Sequence, residues 1–195
     1  MKNNKSKEIA KIILKSLLIA GGISLLMVSQ PSPYFVTKVL PKIIKYGLYK
    51  IRNKKKDKKR FYDSFRYLRN RGLLEMEYQG KQLYIHLSEE GKNLAKKYQV
   101  DDLEIKKPRK WDRKWRILIF DIEEKKKIKR EALRGKIIEL GFFQLQKSVW
   151  IYPYDFQKEI ELLRNFFGLT DREIQVITAF EIENDKDARV FFGLK

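Results

Sequence analysis

Over residues 7–20 the apolar positions are spaced for one buried helix, which Gly21 and Gly22 end and a second short apolar segment follows. From Thr37 the helical period returns. Leu40, Ile44, Leu48 and Ile51 fall four and three residues apart, Thr37 is placed as an N-cap, and Pro41 comes early enough to be tolerated. A third helix is expected over residues 57–71, with Phe61, Phe65 and Leu68 as its inward stripe and Gly72 as its C-terminal cap. The period then changes to two. Residues 74–78 and 83–87 alternate apolar and polar around Gln79-Gly80-Lys81, the pattern of a hairpin. Ser88 is positioned to cap a last helix through Leu94 and Tyr98, with Glu89 and Glu90 in its first turn and Lys96 and Lys97 in its last. Three helices, a two-stranded wing and a closing helix make a winged helix-turn-helix.

A polar stretch containing Pro108 and no apolar period follows, so residues 100–112 are expected to link two domains, 1–99 and 113–195. Beyond it, residues 115–120 form a short apolar run that suits a buried strand ending at Asp121. A helix is expected over 126–140, with Ile128, Leu133, Ile137 and Leu140 inward and Gly141 as cap. Residues 142–152 read as one bent strand or two, broken around Gln146-Lys147. Pro153-Tyr154-Asp155 starts another helix, which buries Ile160, Leu163 and Phe167 and stops at Gly168. Strands over 173–182 and 189–194 complete the order βαβ(β)αββ, which suits the βαββαβ ferredoxin-like sandwich. The fold class is therefore α+β: an N-terminal winged helix-turn-helix followed by a ferredoxin-like domain, one sheet with two helices on one face.

Charge separates the two halves. The chain carries 44 Lys+Arg against 25 Asp+Glu, a formal +19. Residues 1–110 hold 27 and 10 of these, whereas residues 111–195 hold 17 and 15. A net +17 on the front half favours a polyanionic partner, and the densest run leads into the third helix. Lys54, Lys55, Lys56, Lys58, Lys59 and Arg60 are placed to neutralise phosphates, with Lys81 on the wing. Tyr62, Arg66, Arg69 and Asn70 lie on the outward face of that helix, where Arg and Asn can read base edges in a major groove.

With no cysteine and a single histidine, disulfides, zinc fingers and cysteine-based catalysis are excluded. A Ser-His-Asp triad would have to use His86, which alternates with Ile85 and Leu87 and so faces outward from the wing without a catalytic role. A metal would need oxygen ligands, which points to Mg²⁺. Residues 16–37 carry no charge after a lysine-rich start, the flanks of an anchor or signal peptide. However, Ser16 to Val28 is short of the roughly 20 residues a spanning helix needs, and glycines and prolines interrupt it. A buried helix in a cytoplasmic protein is the expectation.

The segments Ile119-Phe120-Asp121-Ile122 and Gln144-Leu145-Gln146-Lys147-Ser148-Val149-Trp150 resemble the core of the CRISPR-associated adaptation endonuclease, in which a strand ends in Tyr-Asp-Ile and a later one carries Gln-x-Ser-Val-Phe. Adding the winged helix, Lys110-Trp111-Asp112-x-x-Trp115 and Ser148-Val149-Trp150-Ile151-Tyr152-Pro153, the chain is more similar still to the PaaX family of phenylacetate-catabolism repressors. In that family a winged helix precedes an endonuclease-like domain. The resemblance implies a homodimeric transcriptional regulator bound to double-stranded DNA, its ferredoxin-like domains pairing the subunits. Recognition of a phenylacetyl-CoA effector is not implied, because the further C-terminal domain usual in PaaX repressors lies outside these residues.

The endonuclease side of the resemblance implies another reading. Asp121 would be the catalytic, Mg²⁺-holding carboxylate, one from each subunit, in a nuclease or a component of a CRISPR adaptation complex partnered by an integrase. Phe120 stands where that family has Tyr, and Lys125-Lys126-Lys127 where it commonly has acids. The regulator is the leading expectation, and Asp121 is then a strand-end carboxylate capping the next turn.

Overall fold

The computed structural model describes residues 2–26 and 54–194. The chain divides into two compact units, Met1–Asp101 and Asp102–Lys195.

The first unit begins with helix α1, Lys2–Ala20. Its buried positions Ile9, Ile13, Leu14 and Leu17 follow the helical repeat and form one wall of the core. Strand β1, Ile23–Leu26, follows the glycine pair. The helix expected from Thr37, with Leu40, Ile44, Leu48 and Ile51, lies outside the described residues. Helix α2 spans Lys54–Asn70 and buries Phe61, Phe65 and Leu68 as expected. It starts three residues earlier than Asp57, so the whole basic run belongs to the helix. It ends at Gly72, whose φ is +67°.

Strands β2, Leu74–Gln79, and β3, Gln82–Leu87, pair antiparallel with Leu74 opposite Leu87. The sheet has a third strand. β1 pairs antiparallel with β3, setting Ile23 against Ile85 and Leu25 against Leu83, in the order β1-β3-β2. Four residues are too few to show a period, so β1 was legible only as an apolar segment; the open edge of β3 makes it a strand.

Helix α3, Glu89–Asp101, is capped by the Ser88 hydroxyl, which accepts from the Gly91 N–H at 3.1 Å. It runs past Tyr98, which moves Lys96 and Lys97 out of its last turn. Gly91 is required by packing: a Cβ there would lie 2.1 Å from the Leu73 carbonyl oxygen.

The second unit contains strand β4, Trp115–Phe120; a 3₁₀ turn, Glu124–Lys126; α4, Lys127–Glu139; and β5, Phe143–Gln146. β6, Val149–Tyr152; α5, Gln157–Phe167; β7, Ile174–Ala179; and α6, Lys186–Phe192, complete it. The four strands form one antiparallel sheet in the order β5-β6-β4-β7, so the crossover through α4 passes over β6. The 142–152 segment is two strands in a hairpin, with a bulge between Gln144 and Gln146. Leu118, Phe120, Trp150 and Ile174 are buried on one sheet face, and Leu133 and Ile137 of α4 with Ile160 and Leu163 of α5 supply the layer against it.

Phe167, expected in the core, is only half-buried, β7 ends three residues before the expected 182, and two larger expectations fail here. Residues 189–194 are not a strand: Arg189 to Phe192 belong to α6. The Val-Phe-Phe run has strand propensity, but tertiary contacts override it. As a helix, Ala188 and Phe192 lie four apart and both pack on Trp115 and Ile151. Asp185 accepts from Arg189 Nε at 2.8 Å and from Trp115 Nε1 at 3.0 Å, and Gly193 closes the helix at φ +64°. Ile128 is also not inward but 87% exposed. It sits five residues before Leu133, about 140° around the helix from the buried stripe.

Candidate functional site

The expected DNA-contacting residues fall mainly on α2. Lys54, Lys55, Lys56 and Lys58 fall in its first turns, a placement of basic residues that the helix dipole disfavours. Isolated, such a start is unfavourable; an anion beside it reverses the sign. Lys59, Arg66, Arg69 and Asn70 are exposed, and Lys81 is exposed at the β2–β3 turn. Tyr62 is half-buried and packs against the core, with the Arg66 guanidinium over its ring at 5.6 Å. That contact holds Arg66 in place without neutralising it. Arg60 is half-buried and, at helical spacing, shares the Ser64 side of α2 rather than the Arg66 side.

Arginine partners differ between α2 and four positions of the second unit, whose Arg109, Arg113 and Arg172 are exposed without a carboxylate partner among the described residues. In the second unit, Arg116 forms a two-pronged pair with Asp112 at 2.6 and 2.7 Å and also donates to the Pro153 carbonyl at 2.9 Å. Arg130 pairs with Glu124 at 2.9 Å, Arg164 with Glu161 and Asp171 at 3.1 Å each, and Arg189 with Asp185. These contacts lower the pKa of Asp112 and Asp185 below the usual carboxylate range, the arginine hydrogen bonds being the main cause. In the first unit, Arg66, Arg69 and Arg71 have no carboxylate partner among the described residues. Arg71 lies over the Tyr67 ring at 6.0 Å.

A cavity of about 730 Å³ opens on the other flank of α2. Residues of α1, α2 and α3 line it, and the Ser64 hydroxyl donates across to the Ser6 carbonyl at 3.0 Å. The sequence assigns Leu68, Leu94 and Tyr98 only places in helices and none of the lining residues a binding role, because the cavity exists only where three separate helices meet. His86 faces Glu75 across the hairpin, Nδ1 to Oε2 3.2 Å, as a surface strand residue.

Asp121 is exposed just past β4, and its backbone N–H donates to the Glu173 carbonyl at 3.0 Å. The nearby carboxylates are engaged: Glu123 with Lys125, Glu124 with Arg130, and Glu173 with Lys126 at 2.6 Å. Lys126 and the Thr170 N–H and hydroxyl hold the Glu173 carboxyl at a pKa of about 2. Among the described residues no group of three or more His, Cys, Asp or Glu could hold a metal ion. One unengaged carboxylate per chain is a sparse site for a divalent ion, which takes several oxygen ligands. Trp111, Asp112 and Trp115 of the tryptophan-rich segment are scaffold. The two rings lie 5.0 Å apart, and Trp111 Nε1 donates to the Lys114 carbonyl at 3.0 Å.

Among the described residues no helix is long and apolar enough to cross a membrane. No curated protein matches the chain. Residues 108–190 match the family model of the PaaX protein central Cas2-like domain, with β4 to β7 inside the match. The chain thus carries, within its second unit, the Cas2-like domain of the PaaX family.

Proposed function

We propose that the protein is a sequence-specific, DNA-binding transcriptional regulator of the repressor type that acts as a homodimer. The first unit is read as a winged helix-turn-helix, with α2 as the recognition helix and the β2–β3 hairpin as the wing. The second is read as a ferredoxin-like pairing domain. The observation that carries the reading is the outer face of α2. Arg66, Arg69 and Asn70 face solvent without carboxylate partners among the described residues, while Phe61, Phe65 and Leu68 fix the helix to the core. A guanidinium left unpaired on a rigid helix is free to form the two-pronged hydrogen bond that reads guanine. Lys59 and Lys81 supply flanking phosphate contacts, and the PaaX-type second unit agrees with a regulator.

Support for pairing comes from the sheet face opposite α4 and α5. Phe143, Ile151, Ile117 and Ile177 line up in one row across the sheet. α6 covers Ile151, but Ile177 is 45% exposed, and Phe180, Val190 and Phe191 are exposed beyond it. A largely apolar surface of this kind, with the Lys114 ammonium over Phe180 at 5.1 Å, suits a two-fold interface, where each patch meets its own copy.

A salt-titrated gel shift tests the assignment. Affinity should fall steeply and linearly on a log–log plot as salt rises, because each neutralised phosphate releases counterions. Unmeasurable affinity, or affinity indifferent to salt, would sink the reading. Sedimentation should give a dimer that the double variant Ile177→Glu, Val190→Glu converts to monomer; a monomeric wild type removes the pairing role.

A further inference from the structure

Residues 106–110, Lys-Lys-Pro-Arg-Lys, follow shortly after α3 and are all exposed, with neither helix nor strand among them. Both ends of this run are held. Ile105 is buried on one side; on the other, Trp111 packs against Trp115 at 5.0 Å and donates to the Lys114 carbonyl. Between these anchors Lys106, Lys107, Arg109 and Lys110 form no ion pair among the described residues. Asp112, the next carboxylate along the chain, is taken by Arg116 at 2.6 Å. Pro108 fixes its own φ and disfavours the helical region for Lys107. The run therefore favours an extended path and has less freedom to lose on binding.

We propose that residues 106–110 are a second DNA-contacting element, an arm that lies in an A·T-rich minor groove with Arg109 inserted and the lysines on flanking phosphates. The assignment rests on the reading of the chain as a DNA-binding protein. An extended chain fits a groove about 6 Å wide, which is too narrow for a helix. Four extended steps reach roughly 14 Å, enough for Lys106 and Lys107 at one end and Lys110 at the other to meet phosphates of both strands. Arginine suits the centre, because a guanidinium is more weakly hydrated than an ammonium and gives up water at less cost. The narrow minor groove of A·T tracts concentrates negative potential, whereas a G·C pair places the guanine amino group there, a donor facing a donor. The minor groove of A-form RNA is wide and shallow and offers no such slot.

Fluorescence anisotropy of the full chain with two labelled duplexes, alternating inosine–cytosine and alternating guanine–cytosine, tests the arm. The two share a major-groove edge, but inosine lacks the amino group that guanine puts in the minor groove. The inosine duplex should bind about fivefold or more tighter, a difference that α2 in the major groove would not produce. Arg109→Ala should remove that preference, and Arg109→Lys should remove most of it while keeping the salt dependence. Lys106→Gln, Lys107→Gln and Lys110→Gln together should lower the log–log salt slope by about 2–3 and keep the preference. All four positions are exposed, so these variants should leave the fold intact. The Arg66→Ala, Arg69→Ala variant should bind both duplexes more weakly and retain the preference. Equal binding of the two duplexes by the wild type overturns the arm and leaves the reading of α2 standing. So does a preference that survives Arg109→Ala or is lost with Arg66 and Arg69, or a salt slope unchanged in the triple lysine variant. Binding to neither duplex at low salt overturns the DNA reading itself, and the arm with it.

Discussion

Three arginines around α2 and four in the second unit serve opposite purposes. In Asp102–Lys195, which holds 21 Lys+Arg and 17 Asp+Glu, Arg116, Arg130, Arg164 and Arg189 are each tied to a carboxylate of the same unit. In Met1–Asp101, with 23 and 8, Arg66 and Arg71 rest on tyrosine rings and Arg69 points to solvent. Net charge alone shows that one unit is basic. Which cations are already occupied tells where an external anion can bind. A guanidinium with its own carboxylate must break that pair to meet a phosphate, whereas one stacked on a ring need not.

The contrast can be broken most directly at α2. Replacing Arg66 and Arg69 together with Ala should weaken specific DNA binding by about 2–6 kcal/mol, at roughly 1–3 kcal/mol per base-reading side chain. Asp121→Ala should leave binding unchanged in the same gel shift. If Asp121→Ala weakens binding as much, the division between the units is wrong.

The next effects are on stability. Gly91→Ala should destabilise the first unit by about 1–3 kcal/mol, because the new methyl group meets backbone and cannot be relieved by a rotamer change. Denaturant unfolding followed by far-UV circular dichroism reads this. In the second unit Asp185→Ala removes the acceptor of the Trp115 N–H as well as the Arg189 pair, and should cost about 1–3 kcal/mol through the stranded indole. Tryptophan fluorescence reports that change at its source.

Acid sharpens the comparison further. The folded pKa of Glu173, about 2, lies below its ordinary 4.5, so its contribution is fully present above that ordinary value and is lost as pH falls toward about 2. The second unit should therefore lose stability across that window, and Glu173→Gln should flatten the response in a pH series of thermal unfolding. The smallest effect is expected from Trp150→Phe. The Trp150 indole N–H is buried with no hydrogen-bond partner among the described residues, so the change removes no bond and should cost under about 1.5 kcal/mol.

Much of this architecture was legible in the sequence because the packing signal there is local. Phe61, Phe65 and Leu68 share a face by spacing alone, and the alternation from Leu83 to Leu87 marks a strand whatever lies beside it. What was not legible depends on distant partners. β1 is a strand because β3 has an open edge, α6 is a helix because Asp185 and Trp115 hold it, and Ile128 is outside because the first turn of α4 rotates it there. The outer face of α2 could be read from its cations. The cavity beside it could not, since its walls come from positions as far apart as Ser6 and Tyr98.

The pairing of β1 with β3 also sets an order of events. Ile23 must meet Ile85 across about sixty intervening residues, and the cost of closing such a loop comes before any contact repays it. A nascent chain that ends before Gln82 has made α1 but has nothing to lay over Leu25, and Ile13, Leu14 and Leu17 lack the hairpin that completes their core. The first unit is thus a late-closing fold despite starting at the N-terminus. Until the hairpin emerges, the apolar face of α1 lacks the strands that cover it.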